Sequence, residues 1–489
     1  PLAAWSIVIA CIFTAFFCLA AILRRQWVDN EKLSFPLTIV PLELATGGSR
    51  SALFRSGRLY IGMALPIFVF TLNGLHVLYP QVPELRLEQS VNQFLLYRPW
   101  SDMEGTNALL SFAAIGFAYF IPTDILLSLW FFFVVGRLSD VAMSAAGYQL
   151  EGMPLYPGRL YRNYQVMGAY VILLGYQIRT SYPYFKQVLL TALGRRRVDD
   201  RNEFLPYRLA FWGLLSATVG AILWCRALGM SWLMAFLEIF VYLFMVVLVM
   251  AKSVADAGLL MTETSFRPVD LVPLFTSKAA LGPRTLTALA LTDAVFTRDL
   301  RGLLLTGMLD GLKMSDGVGL RRRALLPPLL ASIVVSVTAA CLIMLWISNK
   351  WGGSSLYYYA YRGNSLWTFT DARTAMLASP GRHPAALPWF SVGLVVALGT
   401  ALLRARYWWW PLHPLGYALH ACWTLWVFWF PVLLGWIIKS VILRYGGGKA
   451  FIRLRPLFIG LILGEFAMAA FWAAFTAITR RDGPSFPWP

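Results

Sequence analysis

Charged residues are scarce in this 489-residue chain, at 13% against about 25% in soluble domains. Hydrophobic residues make up 58%. A water-soluble surface cannot be built from that mixture, so a plain soluble enzyme is excluded. A disordered chain needs the opposite balance. Acids are the scarcer sign: 24 Asp and Glu stand against 42 Lys and Arg, a net charge of +18. Only five cysteines occur, Cys11, Cys18, Cys225, Cys341 and Cys422, widely spaced in apolar stretches and without a C-x-x-C. They read as buried hydrophobes, neither a zinc set nor a disulfide framework. The P-loop, H-E-x-x-H and C-x-x-C-H patterns are missing, and no G-x-S-x-G sits between a strand and a helix. ATP-driven transport by this chain alone and covalently attached haem are therefore not expected. Neither is an enzyme activity, a metal site or a cofactor. The apolar content is also undiluted by alternation, which argues against an outer-membrane barrel.

What the sequence does have is long apolar runs. A membrane-crossing helix needs about 20 mostly apolar residues, and 5–23, 59–79, 208–227, 231–251, 325–347, 386–404 and 456–477 supply them. Three more runs are less regular. Residues 107–136 are interrupted at Pro122 and Asp124, so they make two short spans or a broken hairpin. Residues 165–193 carry Arg179 and Lys186, and 413–444 read as a hairpin broken at Pro431 and Gly435. The expected fold class is all-α: a polytopic helical membrane protein of about ten or eleven membrane segments, some broken or re-entrant. Three parts are expected: N-terminal membrane helices over 1–251, a polar cytoplasmic connector with short amphipathic helices over 252–323, and C-terminal membrane helices over 324–489. The basic residues gather at segment ends, as in Arg24-Arg25, Arg195-Arg196-Arg197, Arg321-Arg322-Arg323 and the group Lys439, Arg444, Lys449, Arg453, Arg455. This pattern reports topology rather than nucleic acid. It places 24–58, 186–208, 252–323 and 404–412 inside, and 81–106, 137–163 and 348–385 outside.

Ionisable groups within spans are costly and usually have a reason. Glu238 lies mid-span in 231–251, and Glu465 follows Gly464 in the last span. Each is a candidate proton-coupling group or a packing carboxylate. Asp124 sits at the Pro122 break, where transporters expose helix ends to solutes and ions, or simply caps a helix. His413 and His420 flank Pro414 and Gly416; they are candidates for proton or solute binding, and their spacing fits no strict metal motif. Lys439 reads as a residue that snorkels to the interface. The Trp408-Trp409-Trp410 run reads as an interface anchor.

One segment is more specific. Residues 21–44 run from a span ending in Arg24-Arg25, through Asp29 and Glu31, to Lys32-Leu33-Ser34-Phe35-Pro36 opening another apolar stretch. This resembles the oligopeptide transporter family, and more closely an uncharacterised bacterial branch of transporter-like membrane proteins. The elements Trp410–Tyr417, Ile438–Gly447, Ile115–Phe120 and Ser128-Leu129-Trp130 look similar to that branch too. The resemblance implies a proton-coupled carrier of peptides or metal chelates, with further spans before Pro1, and it carries over no binding residue. Read physically, Pro36 opens a helix over 35–46, Ser34 caps it, and Asp29 and Glu31 favour its dipole. That helix, carrying Glu43, is re-entrant, interfacial or a simple connector.

The leading expectation is a secondary transporter, proton-coupled, of a peptide-like or chelate-like solute, in the bacterial inner membrane. Its partners would be the lipid bilayer, the solute, and a second copy or other membrane subunits. The alternative is a non-catalytic integral subunit of a larger membrane complex that binds pigment or lipid. A membrane transferase built on 252–323 has no paired-acid or metal motif behind it.

Overall fold

The computed structural model describes residues 2–47, 53–103, 105–196, 198–200, 202–377 and 383–487. Parts of the expected loops at 48–52, Arg197 and 378–382 lie outside the described residues. The chain is 76% helical. Its first elements are α1 (Leu2–Arg24), α2 (Pro36–Gly47) and α3 (Gly57–Leu78). A two-stranded antiparallel ribbon follows, β1 (Glu88–Ser90) with β2 (Asn107–Leu109). Next come α4 (Phe112–Ala118), α5 (Thr123–Ala145), α6 (Leu160–Ala192), α7 (Tyr207–Leu228), α8 (Trp232–Val241) and α9 (Val247–Ala257). Three shorter or isolated helices come after them, α10 (Gly282–Thr292), α11 (Leu304–Gly317) and α12 (Leu326–Trp351). The chain ends with α13 (Asn364–Met376), α14 (Ala386–Arg406), α15 (Pro414–Leu419) and α16 (Trp423–Thr479). Among the described residues eight helices are long and apolar enough to cross a membrane. The 57-residue α16 folds back at Gly447 (φ 60°, ψ −166°) into two arms, and the 33-residue α6 is some 50 Å long. The protein is an integral membrane protein of the polytopic helical class.

Helices inside a bilayer gain nothing from expelling water from one another, so they associate by close packing through small residues. The second arm of α16 carries Gly460 and Gly464 four residues apart, facing Gly62 of α3. A Cβ on Gly460 would stand 2.2 Å from the Leu59 carbonyl, and one on Gly62 would stand 2.1 Å from that of Leu457. The α6–α14 contact is built the same way, with Gly168 against the Phe390 carbonyl and Gly393 against that of Gln165. Cys18 and Cys11 pack on Gly213 and Gly220 between α1 and α7. The cysteines thus act as small packing groups, except Cys341, which is exposed on α12 rather than buried.

Each of the two interrupted runs holds a short helix, a turn and a long helix. In the first, α4 ends at a turn over 119–122 and α5 follows. In the second, α15 ends at a turn over 420–422 and the first arm of α16 follows. The break is therefore not at Pro431 or Gly435, which lie within continuous helix; neighbouring helices make proline tolerable there. Each short helix packs on the other hairpin's long helix, α4 on α16 and α15 on α5. Small residues permit both approaches, Gly435 against Ala118 and Gly416 against Ser128. Lys439 does not snorkel: it is buried, and its ammonium caps the freed Ile121 carbonyl at the α4 break.

The helix ends collect on two faces. On one, Arg24 meets Glu203 and Asp316, Arg455 meets Glu43, Arg404 meets Asp124, and the Arg323 guanidinium donates to the Asp200 carbonyl. On the other, the Arg159 guanidinium donates to the Asp102 carbonyl, His383 meets Glu151, and the Arg298 guanidinium donates to the Leu155 carbonyl. Residues 258–303, within the stretch read as a connector, run into the bundle, and 262–270 are buried throughout. By contrast, α12 stands at the margin, and none of its most apolar stretch is buried within the chain. Substituting Leu for Gly460 is expected to force α3 and α16 apart at a cost of about 1–3 kcal/mol. Thermal unfolding in detergent checks this, with Gly448→Leu, where no neighbour crowds the Cβ, as the control.

Candidate functional site

The basic–acidic element after α1 is an ion-pair hub. Arg24 is fully buried and binds three carboxylates: Asp29 at 2.6 Å, Glu203 at 2.8 Å and Asp316 at 3.0 Å. A π-helical turn over 25–30 follows it, and such turns recur at functional sites. Glu31 pairs with Lys252 at 2.7 Å. Asp29 and Glu31 therefore serve ion pairs rather than the dipole of α2. Ser34 does not cap α2 either, since its hydroxyl donates to the Asp256 carbonyl. Phe35, at φ 43°, donates its N–H to the Ala255 carbonyl, and Pro36 opens the helix as its missing N–H favours.

Beside this hub lies a cavity of about 410 Å³. Its polar lining is Glu31, Lys252, Asp256, Arg404, His413 and Gln177. Asp124 reaches its edge through a 2.6 Å pair with Arg404. The structure thus brings Asp124 and His413 together. The Ser128 hydroxyl donates to the Asp124 carbonyl and accepts from the His413 N–H. The His413 Nδ1 accepts from the Leu415 N–H at the start of α15. Burial, with nearby Arg404, pushes His413 down to about 4, so it is neutral at physiological pH. His420 lies apart, buried and stacked on Tyr417, with Nδ1 donating to the Tyr417 carbonyl. Burial holds it too at about 4.

Toward the other face the segment 258–303 builds a second hub. Arg267 is buried and binds Asp270 and Asp293 at 2.9 Å and Asp371 at 2.6 Å, while Lys278 adds a 2.7 Å pair to Asp270. Burial opposes the charge on Asp270, but Arg267 and Lys278 outweigh it and hold the carboxyl below the usual range. Asp293 opens another π-helical turn, over 293–297. Glu238 is fully buried near this hub, and among the described residues no group hydrogen-bonds its oxygens; the neighbouring Thr297 hydroxyl donates to Asp293. Glu465 is differently placed. Its oxygens accept from the Ser111 hydroxyl at 3.0 Å and the Ala113 N–H at 2.8 Å, so it anchors the start of α4.

A cavity of about 620 Å³ adjoins the second hub. Its wall includes Tyr156, Glu263, Arg298, Arg301, Tyr359, Trp367, Asp371 and Trp423. Arg298 lies over the Tyr359 and Trp367 rings and donates to Tyr359 and Asn364. Arg301 grips Asp299, and a third π-helical turn over 359–363 carries Tyr359. The stretches 257–262 and 416–422 each run from a residue lining the first cavity, Asp256 or Leu415, to one lining this cavity, Glu263 or Trp423. Among the described residues no three His, Cys, Asp or Glu side chains converge to hold a metal ion.

The profile of a family of unknown function, DUF6785, matches residues 1–488. The chain belongs to this family. No curated protein matches it. For this DUF6785 member, sequence reasoning missed Arg267, Asp293, Asp371, Glu263 and Arg298, and it read Arg24 only as the basic end of a span; Arg267 meets Asp371 across 104 residues. The local signals were Arg24 five residues before Asp29 and Arg267 three residues before Asp270.

Replacing Arg267 by Met would leave Asp270, Asp293 and Asp371 short of charge, at an expected cost of about 3–5 kcal/mol. The lowered Asp270 stabilises the fold above its unfolded pKa of about 4, and that stability is lost as the pH falls. Denaturation of the wild type should therefore steepen below that pH, and the Arg267→Met profile should be flatter.

Proposed function

We propose that this protein is a secondary transporter in the bacterial inner membrane, proton-coupled and carrying a peptide-like or chelate-like solute. One observation carries the reading: two charged cavities lie toward opposite faces, and the stretches 257–262 and 416–422 run from one to the other, the second through the tip of the α15–α16 hairpin. Discontinuous helices around a central site are a transporter arrangement, because freed helix ends can face solute and ions without exposing backbone to lipid. The connecting stretches are short, and Gly258 at φ 57° and Gly416 lie within them. A modest movement there would join either cavity to the centre. The likeness of 21–44 to oligopeptide transporters, and of 410–417 to a branch of transporter-like membrane proteins, supports the same reading. The end bearing Arg24, Arg208, Arg321 to Arg323, Arg404 and Arg455 would face the cytoplasm.

The subunit reading has one observation in its favour, the uncovered α12. Val334, Val335, Leu342 and Trp346 are each more than half exposed. Lipid satisfies such a helix as well as a partner does, so the transporter reading is preferred.

Thr180 and Thr374 line the two cavities. In proteoliposomes, cysteines placed there in a cysteine-free background are expected to react with an impermeant thiol reagent from opposite sides. Trialanine or ferric citrate should enter under an inward proton gradient, and a protonophore should stop the entry. Labelling of both cysteines from one side, or no uptake of either probe, counts against the proposal.

A further inference from the structure

The larger cavity contains one acidic group with nothing to hold. Glu263 is 6% exposed and lines the wall, yet no hydrogen bond or ion pair engages its carboxylate among the described residues. The other charged groups of that wall are engaged. Arg301 binds Asp299, Asp371 binds Arg267, and Arg298 is spent on Tyr359, Asn364 and the Leu155 carbonyl. A buried carboxylate without a donor is strongly disfavoured against its neutral acid. Glu263 also lies in the segment that continues from one connecting stretch, and Trp423, which also lines the wall, continues from the other. It is therefore placed where a change in those stretches would alter its access to water.

We propose that Glu263 is the proton-carrying group of this cavity. Its carboxylate takes a proton from cavity water when that face is open, and returns it to water when the wall is rearranged. The purpose of this exchange rests on the transporter reading; the proton chemistry does not. The groups facing Glu263 are Arg298, Asp299 and Arg301 from the turn after α10, Tyr156 from the loop before α6, Cys422 before α16, and Tyr359 and Asp371 across the cavity. Burial raises Glu263 to about 7; Asp299 adds to the rise, and the two arginines oppose it. The neutral acid thus prevails below neutrality and the charged form above it, the range in which a coupling group must exchange.

Infrared difference spectra of the lipid-reconstituted protein, stepped in pH across neutrality, test this directly. A carboxylic C=O band should vanish and carboxylate bands grow with a midpoint near 7, as the raised Glu263 implies. Burial raises Asp310 to about 7 as well, so the spectra are taken in an Asp310→Asn background; there Glu263→Gln should abolish that pair of bands, and Glu465→Gln should keep it. Should the Gln variant fail to fold, Glu263→Asp decides: it must move the midpoint. Absence of the bands in the Asp310→Asn background, their survival in Glu263→Gln, or an unmoved midpoint in Glu263→Asp overturns the proposal. Intact bands in vesicles that take up neither trialanine nor ferric citrate would instead remove the transporter reading and leave Glu263 its proton.

Discussion

A guanidinium held out of water must be surrounded by acceptors, and two such groups organise this bundle. Arg24 and Arg267 each draw three carboxylates to one point. Leaving either charge uncompensated in a low-dielectric interior would cost more than most packing contacts can return. Each hub therefore fixes the chain segments that reach it. Arg24 ties the end of α1 to the loop before α7 and to the end of α11. Arg267 ties the segment after α9 to α10 and α13. The scarcity of acids in the composition takes on a structural meaning here, because many of the few present are consumed at these two places.

The spans were readable because a crossing helix must hide its backbone and show apolar side chains, and that demand is written continuously along the sequence. The breaks were harder to place. Pro431 reads as an interruption, yet its helix continues, because packing against other helices replaces what the missing N–H removes. The true turn at 420–422 carries no proline. Lys439 reads as a residue reaching for the interface, and its role depends on a carbonyl 318 residues earlier. The hubs were illegible for the same reason: Arg24 meets Glu203 across 179 residues and Asp316 across 292. Of the candidate residues read from the sequence, Asp124 and His413 share one cavity edge, Glu465 anchors a helix start, Glu238 borders the second hub, and His420 stands apart.

The two hairpins are interlocked. The short helix of each rests on the long helix of the other through a small residue. Of the four π-helical turns among the described residues, those over 25–30, 293–297 and 359–363 fall beside the charged groups of the hubs and cavities, while 242–246 is apolar. A local widening of the helix frees backbone carbonyls and rotates side chains without breaking the element. Rigid limbs and adjustable tips are thus combined in one architecture, with the charged groups placed at the adjustable parts.

The pairing of α3 with the last arm of α16 bears on how the chain is made. Residues 57–78 are synthesised about 380 residues before the groove lined by Gly460 and Gly464. Arg24 likewise waits for Asp316 before its ligand set is complete. Until then α3 carries an exposed glycine face and Arg24 a partly satisfied charge. A ribosome stalled before residue 456 would leave α3 without its partner in the lipid.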